Sequence, residues 1–220
     1  MKRAYDFRMI ARDSLRGHWA PVIGVSFLAF LTGAEITMST SFIYTLLNIA
    51  DESILIFAIN IIRLAIGSLV SLGLMQYNLT LIDKKPAYWK QLFCHTSIWG
   101  KAIWLQVRTG IFILLWMLLL IIPGIVKSYS YSMAGFIMSE NPEISAKEAM
   151  EMSMKMMDGN KWNTFVLDLS FILWDLLGAC TMGILHVFYI EPYKRLTDAG
   201  LYQTLKEQMI ARTENVVGEQ

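Results

Sequence analysis

The 220-residue sequence has few charged residues and few cysteines. Only 17% of its residues are charged, the formal net charge is +1, and there are two cysteines. Because the positive and negative charges nearly cancel, the protein as a whole does not attract polyanions, and we expect no nucleic-acid partner. Cys94 and Cys180 are far apart and lie outside any CxxC or Cys/His cluster, so we interpret both as structural.

Common catalytic motifs are also missing. The sequence contains no HExxH, no GxSxG and no phosphate-binding glycine loop. It shows no nucleophile paired with a base, which is the arrangement that a catalytic site needs. We therefore predict a non-enzymatic protein with no catalytic residue, no metal site and no cofactor.

Apolar residues, in contrast, are abundant and occur in long runs. The chain is 55% hydrophobic, which is typical of membrane proteins. Mostly apolar stretches cover Trp19–Met38, Ile54–Ile82 and Ile103–Ile122, and about 20 helical residues cross a hydrocarbon core roughly 30 Å thick. Gly67 and Ser71 have the spacing that lets another helix approach closely. We predict an all-α, polytopic transmembrane helix bundle.

The N-terminal residues 1–18 predict a basic surface helix ahead of the first span. Apolar residues recur at helical spacing between Phe7 and Ser14. A stripe at i, i+4 spacing on a neighbouring face is formed by Arg8, Arg12 and Arg16. The stripe is a candidate contact for anionic lipids, and the alternative is that these arginines only orient the first span. The following apolar run is too long for a signal peptide and lacks a convincing cleavage site.

Polar residues within the predicted spans are candidate functional positions, because an ionisable group in a membrane is costly unless it has a partner or a role. The candidates are Glu35, Arg63, Lys127, Ser128, Ser132, Asp168 and Asp175. Arg63 could snorkel outward or pair with Glu35. Asp168 is the best single candidate. A transport or proton role competes there with a structural one, in which Asp168 bonds to the Ser/Tyr-rich segment or pairs with Arg108 or Lys127.

The stretch Ile121–Trp162 decides the number of spans. It predicts a hairpin that reverses at Pro123-Gly124, followed by an amphipathic helix. Ser145 and Glu148 have capping-box spacing at the start of that helix. If Ile125–Ser139 crosses the bilayer, the chain has about six spans; if it does not, the chain has four. Six spans put nearly all Lys and Arg on the cytoplasmic side, so the positive-inside rule favours six.

The six-span arrangement organises the whole chain as a single integral membrane domain, residues 1–220. The connection 83–102, rich in Lys and Trp, lies at the cytoplasmic interface, and the tail 203–220 is cytoplasmic, as are both termini. The last two spans come from Trp162–Tyr202 and reverse at Gly178–Gly183. They are short, so we expect them to tilt little and to be shielded by their neighbours.

A metal site could be imagined from four residues of this last region, namely Asp168, Asp175, His186 and Glu191. In the six-span arrangement Asp168 lies near mid-membrane, Asp175 near the outer surface and Glu191 in the inner half. We therefore expect these groups not to converge, and we predict no metal site.

The second half carries the sequence IIPGIVKSYSYSMAGFIMSENPEISAKEAMEMS, then DGNKW, then LDLSFILWDLLG. This order resembles the bacterial multi-pass membrane family called "domain of unknown function 975". It is also distantly similar to the membrane domain attached to some glycerophosphodiester phosphodiesterases, which shares the IPG reversal and the following amphipathic helix. The resemblance implies a bacterial plasma membrane and a six-helix bundle, and it assigns no catalytic residue.

Three functions are compatible with these features. The first is an accessory or sensor protein whose bundle binds lipid or a partner membrane protein. The second is a small transporter or channel that uses Asp168, Arg63 and Glu35 along a polar path. The third, which we favour least, is a membrane enzyme that modifies lipid. The expected partners are membrane lipids, with another membrane protein as the alternative.

Overall fold

A computed structural model describes residues 4–32, 54–181 and 185–218 of the chain. Within these residues the fold is all-α, as predicted. The helices are α1 (Ala4–Leu15), α2 (Trp19–Leu31), α3 (Ile54–Ile82), α4 (Trp99–Leu119), α5 (Ile121–Tyr131), α6 (Ala134–Glu140), α7 (Ala146–Met156), α8 (Lys161–Leu169), α9 (Ile172–Cys180) and α10 (Glu191–Gly218). Two 3₁₀ turns, Trp89–Phe93 and Thr96–Ile98, precede α4, and a π-helical turn, His186–Ile190, precedes α10.

The bundle is organised around α3 and α10, which pack against each other. Helix α10 also contacts α1, α2 and α7, and α3 contacts α4 and α6. One buried cluster lies among α3, α4, α6, α7 and α10 and includes Leu72, Met138 and Tyr202. A second cluster joins α1 and α2 to α3 and includes Leu15 and Tyr77. These clusters hold the helices that surround the candidate site.

The predicted hairpin is present, but the reversal lies at Leu120 and not at Pro123-Gly124. Leu120 is extended, with φ −161° and ψ 135°, and it separates α4 from α5. Pro123 sits in the first turn of α5, where a missing N–H costs little because those donors have no partner within the helix. A Cβ on Gly124 would lie 2.9 Å from Met117 Cα. Gly124 therefore lets the two arms touch.

The predicted span Ile125–Ser139 is helical with a break at Ser132-Met133, between α5 and α6. Likewise, the predicted helix over Trp162–Leu177 is divided at Ser170-Phe171 into α8 and α9. The chain after α9 returns against it through the π-helical turn. The predicted tail 203–220 does not start a new element, because α10 runs through residue 203 to Gly218.

Helix α7 begins and ends as the sequence predicts. Ser145 Oγ accepts a hydrogen bond from the Glu148 N–H at 3.2 Å, and Glu148 Oε2 accepts one from the Ser145 N–H at 2.7 Å. Gly159 follows the helix with φ +75°, a left-handed conformation that favours glycine. The apolar face, including Ala149 and Met150, is buried within the bundle. Helix α7 therefore packs on the rest of the bundle through its apolar face.

The N-terminal helix α1 has the predicted amphipathic pattern, but its apolar face is not free to lie on a membrane. Phe7, Ala11 and Leu15 are buried, and α1 packs mainly against α10. Tyr193 Oη also donates a hydrogen bond to the Arg8 carbonyl oxygen at 3.1 Å. The side chain of Arg12 stays exposed. The basic stripe therefore borders a helix that is itself part of the bundle.

Two helical stretches among the described residues are long and apolar enough to cross a membrane. They are Ile61–Ile82 and Trp89–Leu119, and Trp19–Leu31 is a shorter apolar helix. The region between α2 and α3, which contains Glu35, lies outside the described residues.

Candidate functional site

A cavity of about 360 Å³ opens between α3, α4, α5, α6, α8 and α10. Its charged side is built from residues of α8 and α10, namely Asp168, Lys194, Arg195 and Asp198. Hydroxyl groups of α3, α4, α5 and α8 line other parts of it, and apolar side chains of α3 and α4 complete the wall. A pocket with a mostly apolar lining and a few convergent polar groups is typical of a small-molecule or lipid site.

Asp168 is held at the cavity by contacts to two helices. Tyr129 Oη on α5 donates a hydrogen bond to Asp168 Oδ2 at 2.9 Å. Lys194 Nζ on α10 lies 3.7 Å from Asp168 Oδ1. The contact with Tyr129 is one of the structural alternatives considered from the sequence. Each carboxylate oxygen thus has its own neighbour, which orients the group.

The cations considered as partners of Asp168 contact aromatic rings. Lys127 Nζ lies 5.2 Å from the centre of the Trp116 ring. The guanidinium carbon of Arg108 lies 5.8 Å from the centre of the Phe112 ring. Both distances fall in the range of cation–π contacts. The ion pair of Asp168 is formed with Lys194, which the sequence analysis did not consider.

Helix α10 supplies charges of both signs to the cavity. Arg195 Nε donates to Glu191 Oε1 at 2.7 Å, four residues earlier on the same helix. Asp198 lies four residues after Lys194 and lines the same cavity. Among the described residues no salt bridge to Asp198 is formed. The cavity therefore contains one carboxylate that is held by Tyr129 and Lys194 and a second that is not.

Thr109 on α4 presents an unusual hydroxyl group to the cavity. Thr109 is only 7% exposed, and among the described residues its Oγ1 has no hydrogen-bond partner. Threonines in helices commonly bond to the carbonyl oxygen one turn earlier, as Thr197 Oγ1 does with Tyr193 at 2.8 Å. Burying a hydroxyl without a partner is unfavourable. Thr109 is thus a site where a ligand would supply a missing hydrogen bond.

The Ser/Tyr-rich segment and the start of α6 also line the cavity. Ser128, Ser132 and Gly135 are all in its wall. Ser128 Oγ donates to the Ile125 carbonyl oxygen and Ser132 Oγ donates to that of Tyr129, at 2.8 and 2.9 Å. Both serine hydroxyl protons are donated to backbone carbonyl oxygens, so the serine oxygens can still accept hydrogen bonds.

Behind the cavity a second polar cluster joins the π-helical turn to its neighbours. His186 Nδ1 lies 3.6 Å from Asp175 Oδ1, and His186 Nε2 lies 3.5 Å from Glu191 Oε2. The expectation that Asp175, His186 and Glu191 would stay apart is wrong, because α9 and the turn before α10 fold together. Asp168 contacts Lys194 instead of this histidine. Among the described residues no group of three or more ligands suits a metal ion.

The remaining candidates are Arg63 and Glu35, the predicted ion pair. Arg63 is exposed on α3 and is not part of the cavity wall. Glu35, its predicted partner, lies outside the described residues. The pair stays a prediction.

Sequence reasoning missed Thr109, Lys194 and Asp198. A lone threonine carries no motif, and only the four-residue spacing of Lys194 and Asp198 indicated a shared helix face.

Comparisons with known proteins give one match. No curated protein and no solved structure shows significant similarity to the chain, so the resemblance to the phosphodiesterase membrane domain stays a prediction. Residues 107–209 match the family model described as "Protein of unknown function (DUF975)". The match covers α5 to α9 completely, with most of α4 and α10, and so includes most of the cavity wall. Over these residues the chain is similar to the family described as "Protein of unknown function (DUF975)".

Proposed function

We propose that this chain is an integral membrane bundle that binds a lipid or lipid-like molecule in its cavity, as an accessory or sensor protein and not as an enzyme. The observation that carries the proposal is the cavity itself. It combines a charged side on α8 and α10 with an apolar side on α3 and α4. An amphiphile has the same division between a polar head and an apolar chain, so it would satisfy both sides at once.

The membrane assignment rests on the apolar helices and on the large apolar side chains at the surface. Leu118, Ile122 and Leu173 are 85%, 76% and 72% exposed. Apolar patches of this kind at a protein surface mark contacts with a membrane or a partner. We propose the bacterial plasma membrane, with both termini on the cytoplasmic side.

We further propose six spans, and contacts at one end of the bundle support this number. Lys101 Nζ donates hydrogen bonds to the carbonyl oxygens of Pro142 and Glu143 at 2.9 and 3.0 Å. Lys101 belongs to the connection 83–102, so the start of the amphipathic helix lies on the same side as that connection. In the proposed membrane, α5 and α6 together would then return across the thickness that α4 crosses, which supports a six-span topology.

A labelling experiment tests the topology. Lys147→Cys and Leu120→Cys, each in a background without Cys94 and Cys180, should react from opposite sides of the membrane, because α5 and α6 separate the two positions. We expect Lys147→Cys to react only after a membrane-impermeant reagent is given access to the cytoplasm. Modification of Lys147→Cys from outside in intact cells would overturn the six-span topology.

Extraction of the full chain in a mild detergent tests the binding function. Mass spectrometry of the purified protein should detect a lipid that remains bound after extensive washing. Replacing Asp168 by Asn should reduce the amount retained, whereas Asp158→Asn, on the exposed turn after α7, should not. A wild-type protein that is folded, free of lipid and unable to rebind lipid would contradict the proposal.

Transport is the alternative that the charged cavity also allows. Tyr129, Asp168 and Lys194 form a line of polar contacts from α5 to α10. If the protein were a transporter, proteoliposomes would show solute or proton flux that Asp168→Asn abolishes. Lipid retention without such flux would favour binding alone.

A further inference from the structure

We propose that the cavity selects a ligand with an ammonium group, which Asp198 and Thr109 bind. This inference rests on the proposed ligand-binding function, and it specifies the chemistry of the ligand. The same chemistry is offered by an aminophospholipid headgroup and by a free long-chain amine.

Together with the adjoining Glu191, the charged side of the cavity has one net negative charge, because three carboxylates face the two cations Lys194 and Arg195. Asp168 accepts a hydrogen bond from Tyr129 and pairs with Lys194, and Arg195 donates a hydrogen bond to Glu191. Lys194 and Arg195 also lie near Asp198, but their ion pairs are formed with Asp168 and Glu191, so among the described residues Asp198 forms no salt bridge of its own. A carboxylate enclosed beside another carboxylate is destabilised unless a positive charge approaches it. A ligand ammonium group would provide that charge.

Thr109 is a second and independent indication of a ligand. Thr109 lines the cavity and is nearly fully buried, and its hydroxyl has no partner in the part of the chain that the structure describes. An ammonium N–H can donate a hydrogen bond to Thr109 Oγ1 while another N–H is donated to Asp198. An ammonium group has up to three donors, so an amine placed between the two residues would donate to both.

The rest of the wall suits the same group. The side chains of Tyr129, Tyr131 and Phe136 line the cavity, and aromatic faces attract ammonium groups. The apolar side, which includes Met75, Ile113 and Met117, would contact the first part of an alkyl or acyl chain. A cavity of about 360 Å³ is at the lower end of the ligand-pocket range. It has room for a headgroup and the start of a chain, not for a complete phospholipid.

Competition between lipids tests the selectivity. The full chain is purified, stripped of lipid, and offered phosphatidylethanolamine and phosphatidylglycerol at equal concentration, and bound lipid is counted by native mass spectrometry. We expect at least tenfold preference for phosphatidylethanolamine. Asp198→Asn should remove the preference, and Asp158→Asn should keep it. Thr109→Val should weaken binding about fivefold, the loss of one ordinary hydrogen bond, while Thr109→Ser should bind as the wild type does.

A further arm separates the two sources of the ammonium group. Decylamine is added as a competitor, with decanol as the matched neutral control. Displacement of the lipid by decylamine supports the ammonium site, and binding of decylamine alone, without phosphatidylethanolamine, identifies a free amine as the ligand. Asp198→Glu keeps the charge and should retain binding, so a folding defect of Asp198→Asn does not decide the result.

Equal retention of both phospholipids by the wild type, with no effect of decylamine, would overturn the ammonium site and leave lipid binding intact. Retention of neither lipid and no binding of decylamine would overturn both this inference and the proposed function. Unchanged selectivity in folded Asp198→Asn and Thr109→Val would assign the preference to another part of the protein.

Discussion

Lys206 Nζ lies 2.6 Å from Glu140 Oε2 and joins the last turn of α6 to α10. Tyr202 Oη donates a hydrogen bond to the same carboxylate oxygen at 2.7 Å. Tyr202 is buried, and its ring stacks on Phe136 at 5.3 Å between centroids. Glu140 therefore satisfies a buried phenol as well as a lysine, and this connection closes the bundle at the end where the amphipathic helix begins.

Replacing Glu140 by Ala should destabilise the protein by about 1–3 kcal/mol, because the hydroxyl of Tyr202 would lose its acceptor. The ion pair itself is partly exposed and adds little to this value. Thermal unfolding in detergent measures the change. The matched control is Glu143→Ala, since Glu143 is exposed. Equal unfolding midpoints for the two variants would contradict the role of Glu140.

Gly73 on α3 marks the closest backbone contact with the 3₁₀ turn Trp89–Phe93. A Cβ at Gly73 would lie 2.1 Å from the Leu92 carbonyl oxygen. No side-chain rotation can relieve a clash with backbone, so Gly73→Ala should cost about 1–3 kcal/mol or more. At Gly100, by contrast, a Cβ would meet nothing within 4 Å. Gly100→Ala should leave the unfolding midpoint unchanged or raise it.

Thr109→Val should stabilise the ligand-free protein, because it removes a buried hydroxyl that has no partner. We expect a gain of about 1 kcal/mol, by the cost of an unsatisfied polar group. Thr197 provides the control, since it is also buried on a helix but donates a hydrogen bond to Tyr193. Thr197→Val should lower the unfolding midpoint. A fall in the midpoint for Thr109→Val would mean that its hydroxyl is bonded in the protein.

Acidification should loosen the start of α7. The hydrogen bond from the Ser145 N–H holds the pKa of Glu148 below its ordinary value of 4.5. A group with a lowered pKa in the folded state stabilises fully above its ordinary pKa, and this contribution is lost as the pH falls through the folded-state pKa. Hydrogen exchange of the first turn of α7 should therefore speed up, relative to the intrinsic rate, at pH values below about 4.5.

The control for this pH effect is Glu148→Gln, which keeps an acceptor but cannot ionise. Its first turn should exchange with no such change across the same pH range. If wild type and Glu148→Gln respond alike, the capping box is not the source of the pH dependence.

Much of the local structure follows from short stretches of sequence. The spacing of Ser145 and Glu148 predicts the capping box, and the apolar face of α7 is buried as its helical spacing indicates. The hairpin after α4 was also predictable, although its turn was placed too late. A proline at this spacing predicts the end of a helix, whereas Pro123 lies in the first turn of the next one, where it is well tolerated.

The amphipathic face of α1 was predicted correctly, and its contact was not. A helix with one apolar and one basic face can lie on a membrane or on another helix. The sequence of α1 alone does not show which of these two surfaces covers its apolar face. Buried Phe7 and Leu15 show that this face is covered within the bundle, mainly by α10.

The sequence by itself determined the helices and their apolar faces, because these depend on residues that are neighbours along the chain. Only the tertiary structure decided that Thr109, Asp168 and Asp198 share a cavity, and that Asp168 pairs with Lys194. These residues come from α4, α8 and α10, and their contacts depend on how three separate helices pack. Helical spacing carries no information about which side chains meet across such an interface.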